Sequence, residues 1–218
     1  MNQAQAIIPA NPNPDPALID PSELPAPINV FALGNIPDLS GYISELGEIF
    51  SRVDLIFCLG NVDLATLAST KPAELPALVV LAGSDDPAAV PTGFHHLDGN
   101  GFSFRDWKIG GLSGSSAALG GNYKILDEAS ASARLIPLHG ADILLSHMFP
   151  QGLRDSEVAN EVGLNAIDEY LFASRTPYLF YANPGDSFVE VFGNDDTPVT
   201  VSYGVNGYLE FPGVEFII

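Results

Sequence analysis

The segment 28-INVFALGNIPDLSGYISELGEIFSRVDLIFCLGNV-62 contains two short apolar runs, and each ends in Leu-Gly-Asn followed by a branched apolar residue. Such runs are typical of strands that are buried on both faces of a sheet. Between them, Leu39, Ile43, Leu46, Phe50 and Val53 recur at helical spacing, which predicts one apolar helix face. Strand, helix and strand in this order predict a parallel pair joined by a right-handed crossover.

The same alternation continues along the chain. We predict a short helix at 64–68, strands at 78–81, 101–104, 107–112 and 142–146, a helix at 164–173 and a strand at 178–181. Three final strands, at 187–192, 199–203 and 208–211, are predicted to be antiparallel, with hairpin-type turns at 193–196 and 204–207. The pattern indicates one α/β domain at 28–218, preceded by an arm at 1–27 that holds seven of the 18 prolines.

The charge balance excludes two classes of partner. The 218 residues include 8 Lys and Arg against 27 Asp and Glu, for a formal net charge of -19. Nucleic acid is an unfavourable partner because its binding needs cations that neutralise phosphates, and an anionic membrane repels the chain for the same reason. The one cysteine, Cys58, lies in an apolar run and is predicted to be a buried, inert thiol. With no membrane-spanning segment or signal peptide evident, we expect a cytoplasmic protein.

Polar residues follow the predicted strands, where open α/β sheets bind their ligands. These candidate site residues are Asn35, Asn61, Ser84, Asp85, Asp86, His147 and Asn183. Their order and spacing resemble those of the calcineurin-like metallophosphoesterases, and the segments 110-GGLSG-114 and 142-DILLSHMFPQG-152 are similar to segments of that family. The resemblance implies a four-layer α/β/β/α sandwich with two mixed sheets.

The resemblance does not extend to the metal ligands of that family. Its first Asp-x-His motif falls on Gly34 and Ile36, and its metal-bridging Asp on Asn61. Its Asn ligand and the catalytic His beside it fall on Ser84 and Asp85, and its last His-x-His on Asn183 and Gly185; His147 and Asp86 alone keep the family's residue type. Two neighbouring divalent ions need several carboxylates and imidazoles. We therefore expect no catalytic residue, no metal ligand and no cofactor.

Three hypotheses follow from this pattern. The first is a catalytically inactive relative, a pseudoenzyme that binds or scaffolds another protein through its acidic surface. The second is a divergent phosphoesterase that holds Mn, Fe or Zn through relocated ligands such as Asp38, Asp63 or Asp85. The third is a sensor that binds a small ligand in the vacated pocket. Self-association as a homo-oligomer, through exposed edge strands near the C-terminus and the apolar ending 214-VEFII-218, is compatible with all three.

Other polar motifs have simpler structural interpretations. The pair His95-His96, followed by Asp98, suggests a metal site, but adjacent residues of a strand point to opposite faces. We expect a polar loop or an edge strand there, and an exposed side chain for His139. The glycine- and serine-rich segment 113–121 lacks the Gly-Lys-Ser/Thr ending of a phosphate-binding loop, so it is predicted to be a turn.

Overall fold

The fold is given by a computed structural model that describes residues 26–82, 89–116, 124–151, 163–183, 187–192 and 200–211. Of the predicted site, Ser84, Asp85 and Asp86 lie outside these ranges, as do Gly185, most of the Pro-rich arm, the second half of segment 113–121 and the predicted turn at 193–196. Four candidate site residues are described, namely Asn35, Asn61, His147 and Asn183.

Strands and helices alternate through most of the described chain. In order they are β1 (Val30–Gly34), α1 (Ile43–Phe50), β2 (Leu55–Cys58), α2 (Leu64–Thr70), β3 (Ala77–Val79), β4 (Phe94–His96), β5 (Asn100–Phe104), β6 (Trp107–Leu112), α3 (Glu128–Leu135), β7 (Ile143–Ser146), α4 (Asn165–Ser174), β8 (Tyr178–Ala182), β9 (Phe188–Phe192), β10 (Thr200–Val205) and β11 (Gly207–Phe211). Short 3-10 helices lie at Ser40–Tyr42 and Ile136–Leu138.

The described strands form two mixed sheets. The first has the order β11-β1-β2-β3-β4, in which β1 to β4 are parallel and β11 is antiparallel to β1. The second has the order β5-β6-β7-β8-β10-β9, with four parallel strands in the centre and an antiparallel strand at each end. The predicted α/β class with two mixed sheets is confirmed.

The two sheets pack face to face and carry helices on their outer faces. Between the sheets, the Phe57 and Phe180 rings meet edge to face at 5.1 Å, and Tyr203 stacks on Phe180 at 4.6 Å. Helices α1 and α2 bury apolar side chains against the first sheet, and α3 and α4 do so against the second. With both faces covered, the central strands must be apolar throughout, and the thiol of Cys58 is buried among them as predicted.

Among the α-helices of the described ranges, α3 is the one that the sequence pattern did not predict. Its sequence, EASASARL, buries only Ala131 and Leu135, so its apolar periodicity is weak. The one sequence feature that indicates this helix is the N-cap residue Asp127, whose carboxylate accepts the backbone N–H of Ser130 at 2.7 Å. The neighbouring Glu128 carboxylate accepts the first N–H groups of α4, which fixes the two helices side by side.

The predicted hairpin at 204–207 is wrong. Strand β10 pairs with β8 and β9 in the second sheet, whereas β11 pairs with β1 in the first. Gly207, at φ 86°, lets the chain pass from one sheet to the other within a single turn. Turn chemistry specifies a reversal of the chain but not which strand edge it then meets. The short connection between β10 and β11 therefore links the two sheets through the backbone.

The helices of the described part are short. None of them is both long and apolar enough to cross a membrane.

Candidate functional site

The carboxyl ends of β1 and β2 carry two asparagines in matching positions. Asn35 and Asn61 each follow a glycine at the strand end, and both adopt left-handed backbone conformations, with φ of 52° and 53°. Asparagine tolerates this region better than most residues. The backbone N–H of Asn35 donates to the carbonyl of Gly60 at 3.1 Å, so the two turns lie side by side.

The asparagine side chains form a bridge between the two sheets. Asn61 Nδ2 donates to Asn35 Oδ1 at 3.1 Å, and Asn35 Nδ2 donates to the backbone carbonyl of Asn183 at 3.0 Å. Asn183 is buried at the end of β8, and its own N–H donates to Val205 of β10 at 2.8 Å. We call Asn35, Asn61 and Asn183 the asparagine bridge. Its hydrogen bonds join strand ends of both sheets.

His147 fixes a second contact between the sheets. Its imidazole is buried at the end of β7, and Nδ1 lies 2.8 Å from the backbone carbonyl of Leu59 at the end of β2. A carbonyl only accepts hydrogen bonds, so Nδ1 carries the proton. Gly60 makes room for the ring: a Cβ there would lie 2.5 Å from Nδ1 of His147 and 3.0 Å from the Cβ of Ala82.

Gly34 is required by close packing between the sheets. A Cβ at this position would lie 2.7 Å from the backbone oxygen of Val205 in β10. A carbonyl in a strand cannot move aside without shifting the strand. Gly34, to which the resemblance assigns a lost metal ligand, therefore has no room for any side chain in this structure.

The two described acidic residues that could replace lost ligands cap the backbone. Asp63 begins α2 and accepts the N–H groups of Thr66 at 3.0 Å and Leu39 at 3.2 Å. Burial alone would raise the pKa of Asp63, but hydrogen bonds from the Thr66 side chain and from the backbone N–H groups of Thr66 and Leu39 hold it below its ordinary value. Asp38 accepts the N–H of Ser40 at 2.9 Å, and hydrogen bonding to Ser40 lowers its pKa as well. Both carboxylates are engaged in shaping the segment between β1 and α1 and the start of α2.

Ser113 connects three strand ends, and no sequence motif signals this role. Its buried hydroxyl donates to the carbonyl of Leu97 and accepts the N–H of Leu81, both at 2.9 Å. Since its single hydrogen is used, Nε2 of His96, 3.1 Å away, is the donor in their contact. A serine and a histidine meet here, but the hydroxyl is buried and bonds the ends of β3 and β4 to β6.

An ion cluster locks the β4–β5 turn to α3. The Asp98 carboxylate pairs with Lys124 at 2.7 Å and Arg134 at 2.9 Å, and it accepts the N–H of Ser113 at 3.3 Å. Burial alone would raise the pKa of Asp98, but the hydrogen bond and charge of Lys124 and the charge of Arg134 hold it below its ordinary value. The carboxylate thus ties three segments together.

We expect Asp98→Asn to lower the free energy of unfolding at pH 7 by about 2 kcal/mol, because two cations lose a half-buried partner. The pKa of Asp98 is lower in the folded than in the unfolded chain, so its stabilisation is present above the unfolded pKa. It declines as the pH falls below about 4, where the carboxylate of the unfolded chain becomes protonated, and it is lost as the pH falls through the lower pKa of the folded chain. Urea unfolding from pH 7 to pH 3 should therefore show the difference between variant and wild type narrowing at the acid end.

The matched control is Asp106→Asn, which changes an exposed carboxylate in the β5–β6 turn. We expect it to change the unfolding free energy by less than about 0.5 kcal/mol. Equal losses in the two variants, or a loss at Asp98 that does not depend on pH, would contradict this account.

The remaining histidines lie where the sequence indicated. His95 and His96 belong to β4, at the end of the first sheet. Their side chains diverge: the His95 ring lies 4.5 Å from the ring of Phe102, whereas His96 bonds to Ser113. His139 is exposed after the 3-10 helix. In the described ranges, no three or more His, Cys, Asp or Glu side chains are grouped so that they could hold a metal ion.

Comparison with known proteins gives the fold and no activity. No protein-family model matches the chain, and no curated protein matches it. One solved structure superposes with a TM-score of 0.61 at 14% identity, over 84% of this chain and 95% of its own. The crystal structure of TT1561 of Thermus thermophilus superposes with a TM-score of 0.58 at 16% identity, over 82% of this chain and 88% of its own. The architecture is therefore one that solved proteins share.

The described strand-end residues do not fit the two-metal centre of the family that the sequence resembles. Three of the four are carboxamides, which are weaker ligands than carboxylates and carry no charge to offset two divalent ions. The Asn35 amide is committed at both its oxygen and its nitrogen to the asparagine bridge. His147 donates Nδ1–H to a backbone carbonyl, an arrangement that metal-binding histidines also use, but one imidazole alone does not offset the charge of two divalent ions. We derive no catalytic step through a metal here.

Proposed function

We propose that this chain is a catalytically inactive relative of the calcineurin-like metallophosphoesterases that serves as a protein-binding or scaffolding module of the cytoplasm. The four-layer order of helices and sheets and the likeness of segments 110–114 and 142–152 to that family support the relationship. Fold alone does not imply chemistry, so the proposal depends on the residues at the strand ends.

The observation that carries the proposal is the asparagine bridge. At the strand ends where an enzyme of this family would hold metal ligands, the Asn61 side chain donates to the Asn35 side chain. The Asn35 side chain in turn donates to the backbone carbonyl of Asn183. The Asn35 amide is engaged at both its oxygen and its nitrogen, by the Asn61 side chain and by the backbone carbonyl of Asn183, so it stabilises the contact between the sheets. Gly34 adds to this, because its contact with Val205 leaves no space for a ligand side chain. Both features favour a structural role for the residues at these strand ends.

The charge of the chain favours a basic protein as the partner. A net charge of -19 with 8 cationic residues gives an attractive field for basic surfaces and a repulsive one for phosphates. Complementary charge chiefly raises the rate of association. We expect such binding to weaken steeply as salt is added, because exposed charges are screened.

Metal analysis of the purified full-length protein tests the proposal. After incubation with Mn²⁺, Fe²⁺ or Zn²⁺ and gel filtration, we expect well under one ion per chain and no hydrolysis of a generic phosphodiester above the buffer rate. One or two tightly held ions per chain, together with hydrolysis, would overturn it in favour of a divergent phosphoesterase. A thermal shift of several degrees with a nucleotide would instead favour a small-ligand sensor.

A further inference from the structure

We propose that a second copy of this chain pairs with the outer edge of β5 and extends the second sheet across a two-fold dimer. Strand β5 lies at the end of the second sheet and β4 at the end of the first, and only residues 97–99 separate them. Both sheets therefore end on the same side of the sandwich. We call residues 94–104 the β4–β5 edge.

The backbone of β5 offers unpaired groups in a regular pattern. The two-residue turn Arg105-Asp106 joins β5 to β6 and makes Phe104 and Trp107 a hydrogen-bonded pair. Alternate residues of the strand then direct their N–H and C=O groups away from β6, and these are Gly101 and Ser103. Among the described strands, none pairs with this outer side of β5.

Strand β5 lacks the usual protection of an edge strand. Charged residues, proline and bulges normally prevent edge pairing, yet the sequence NGFSF contains no charge and no proline. On the opposite side of the sandwich, β9 and β11 each include a glutamate, Glu190 and Glu210. Compared with β9 and β11, strand β5 is therefore better suited to pair with a strand of another chain.

Partly buried aromatic side chains lie along the same edge. Phe102 and Phe104 pack against the core between the sheets but remain partly accessible to solvent. The ring of His95 lies beside Phe102 at 4.5 Å. A strand added to β5 would cover these rings and bury apolar surface, which stabilises association.

Charge at this edge selects a second copy over a basic partner. Asp98 is paired with Lys124 and Arg134, and Arg105 is paired with Asp54 at 2.6 Å. The nearest exposed carboxylate, Asp106, follows the strand, so in an antiparallel pair the two copies would carry it at opposite ends. Strand β5 itself is uncharged and gives a basic protein no charge to pair with, whereas an identical neutral strand matches it.

The dimer should respond to salt in the opposite way to an electrostatic complex. Two chains that each carry a charge of -19 repel one another at long range. Added salt screens this repulsion without weakening backbone hydrogen bonds or apolar contacts. We expect self-association to strengthen between about 20 mM and 150 mM salt, where the Debye length falls from about 20 Å to about 8 Å.

The test removes one outward N–H group. Ser103→Pro deletes a donor that faces the edge and leaves the hydrogen bonds from β5 to β6 in place. Ser103→Thr is the matched control, because it keeps the N–H and favours strand structure. By sedimentation of the full-length protein from about 1 µM to about 100 µM, which spans the usual range of weak dimers, we expect wild type and Ser103→Thr to dimerise. Ser103→Pro should remain monomeric to a concentration at least about tenfold higher.

Hydrogen exchange supplies a readout that needs no variant. In wild type, the amides of Gly101 and Ser103 should exchange at least about tenfold more slowly at the high concentration than at the low one, while those of β9 should not change. A wild type that is monomeric throughout, a Ser103→Pro protein that still dimerises, or protection that is independent of concentration would each overturn the proposal. If Ser103→Pro does not fold, the exchange data decide.

Discussion

Gly60→Ala is expected to lower the free energy of unfolding by about 4 kcal/mol. Gly60 has a φ of 94°, a region that costs an L-residue about 1–2 kcal/mol. A Cβ would in addition lie 2.5 Å from Nδ1 of His147. Moving that ring breaks its hydrogen bond to Leu59 and overpacks the strand ends, at about 1–3 kcal/mol. Thermal unfolding should shift down by about 8–16 °C.

The control for this prediction is Gly140→Ala. Gly140 has a similar φ of 83°, but a Cβ there would meet nothing within 4 Å. It isolates the backbone contribution, so we expect a loss of about 1–2 kcal/mol. If the two variants lose equal stability, the steric role assigned to His147 is wrong.

Gly34→Ala is expected to cost about 3 kcal/mol, and Gly34→Asp more. The new Cβ would lie 2.7 Å from the carbonyl oxygen of Val205, so β1 and β10 must separate. An aspartate would also bring its carboxylate towards a carbonyl oxygen, which repels it. We therefore expect Gly34→Asp, which restores the residue type of the family's first ligand, to destabilise the protein without recruiting a metal. Chemical denaturation and metal analysis measure the two outcomes.

Gly47→Ala is the matched control for Gly34. Gly47 lies inside α1, and a Cβ there would meet nothing within 4 Å. Alanine is the better helix former, so this variant should gain about 0.5–1 kcal/mol. A Gly34→Asp protein that is as stable as wild type and binds one ion per chain would show that the strand ends can accept ligands, and would weaken the proposed loss of activity.

Some features of the site were predictable because they are local. The turns after β1 and β2 were visible as repeated Leu-Gly-Asn sequences, and the end of β7 was visible as a strand ending at His147. The asparagine bridge was not predictable, since Asn35 and Asn183 are 148 residues apart in the chain. Ser113 was equally hidden, because its partners Leu81 and Leu97 lie in other segments.

Local sequence patterns were sufficient for the α/β class, the central strands and most helix positions. Those features depend on short apolar runs and on periodicity, which act within a few residues. The amino-acid composition likewise sets the acidic charge, and the residues after the strands differ from most of the ligand types of the family that the sequence resembles.

The use of those strand ends depends on how the two sheets pack. In the sequence, Gly34 stands where the resemblance places a ligand, and Gly60 is an ordinary turn glycine. In the fold, both are positions where atoms of the opposite sheet approach too closely for a side chain. Strand β11 likewise joins the first sheet because, after the turn at Gly207, it lies beside the free edge of β1. These contacts join segments far apart in the chain, and no local pattern encodes the distance between them.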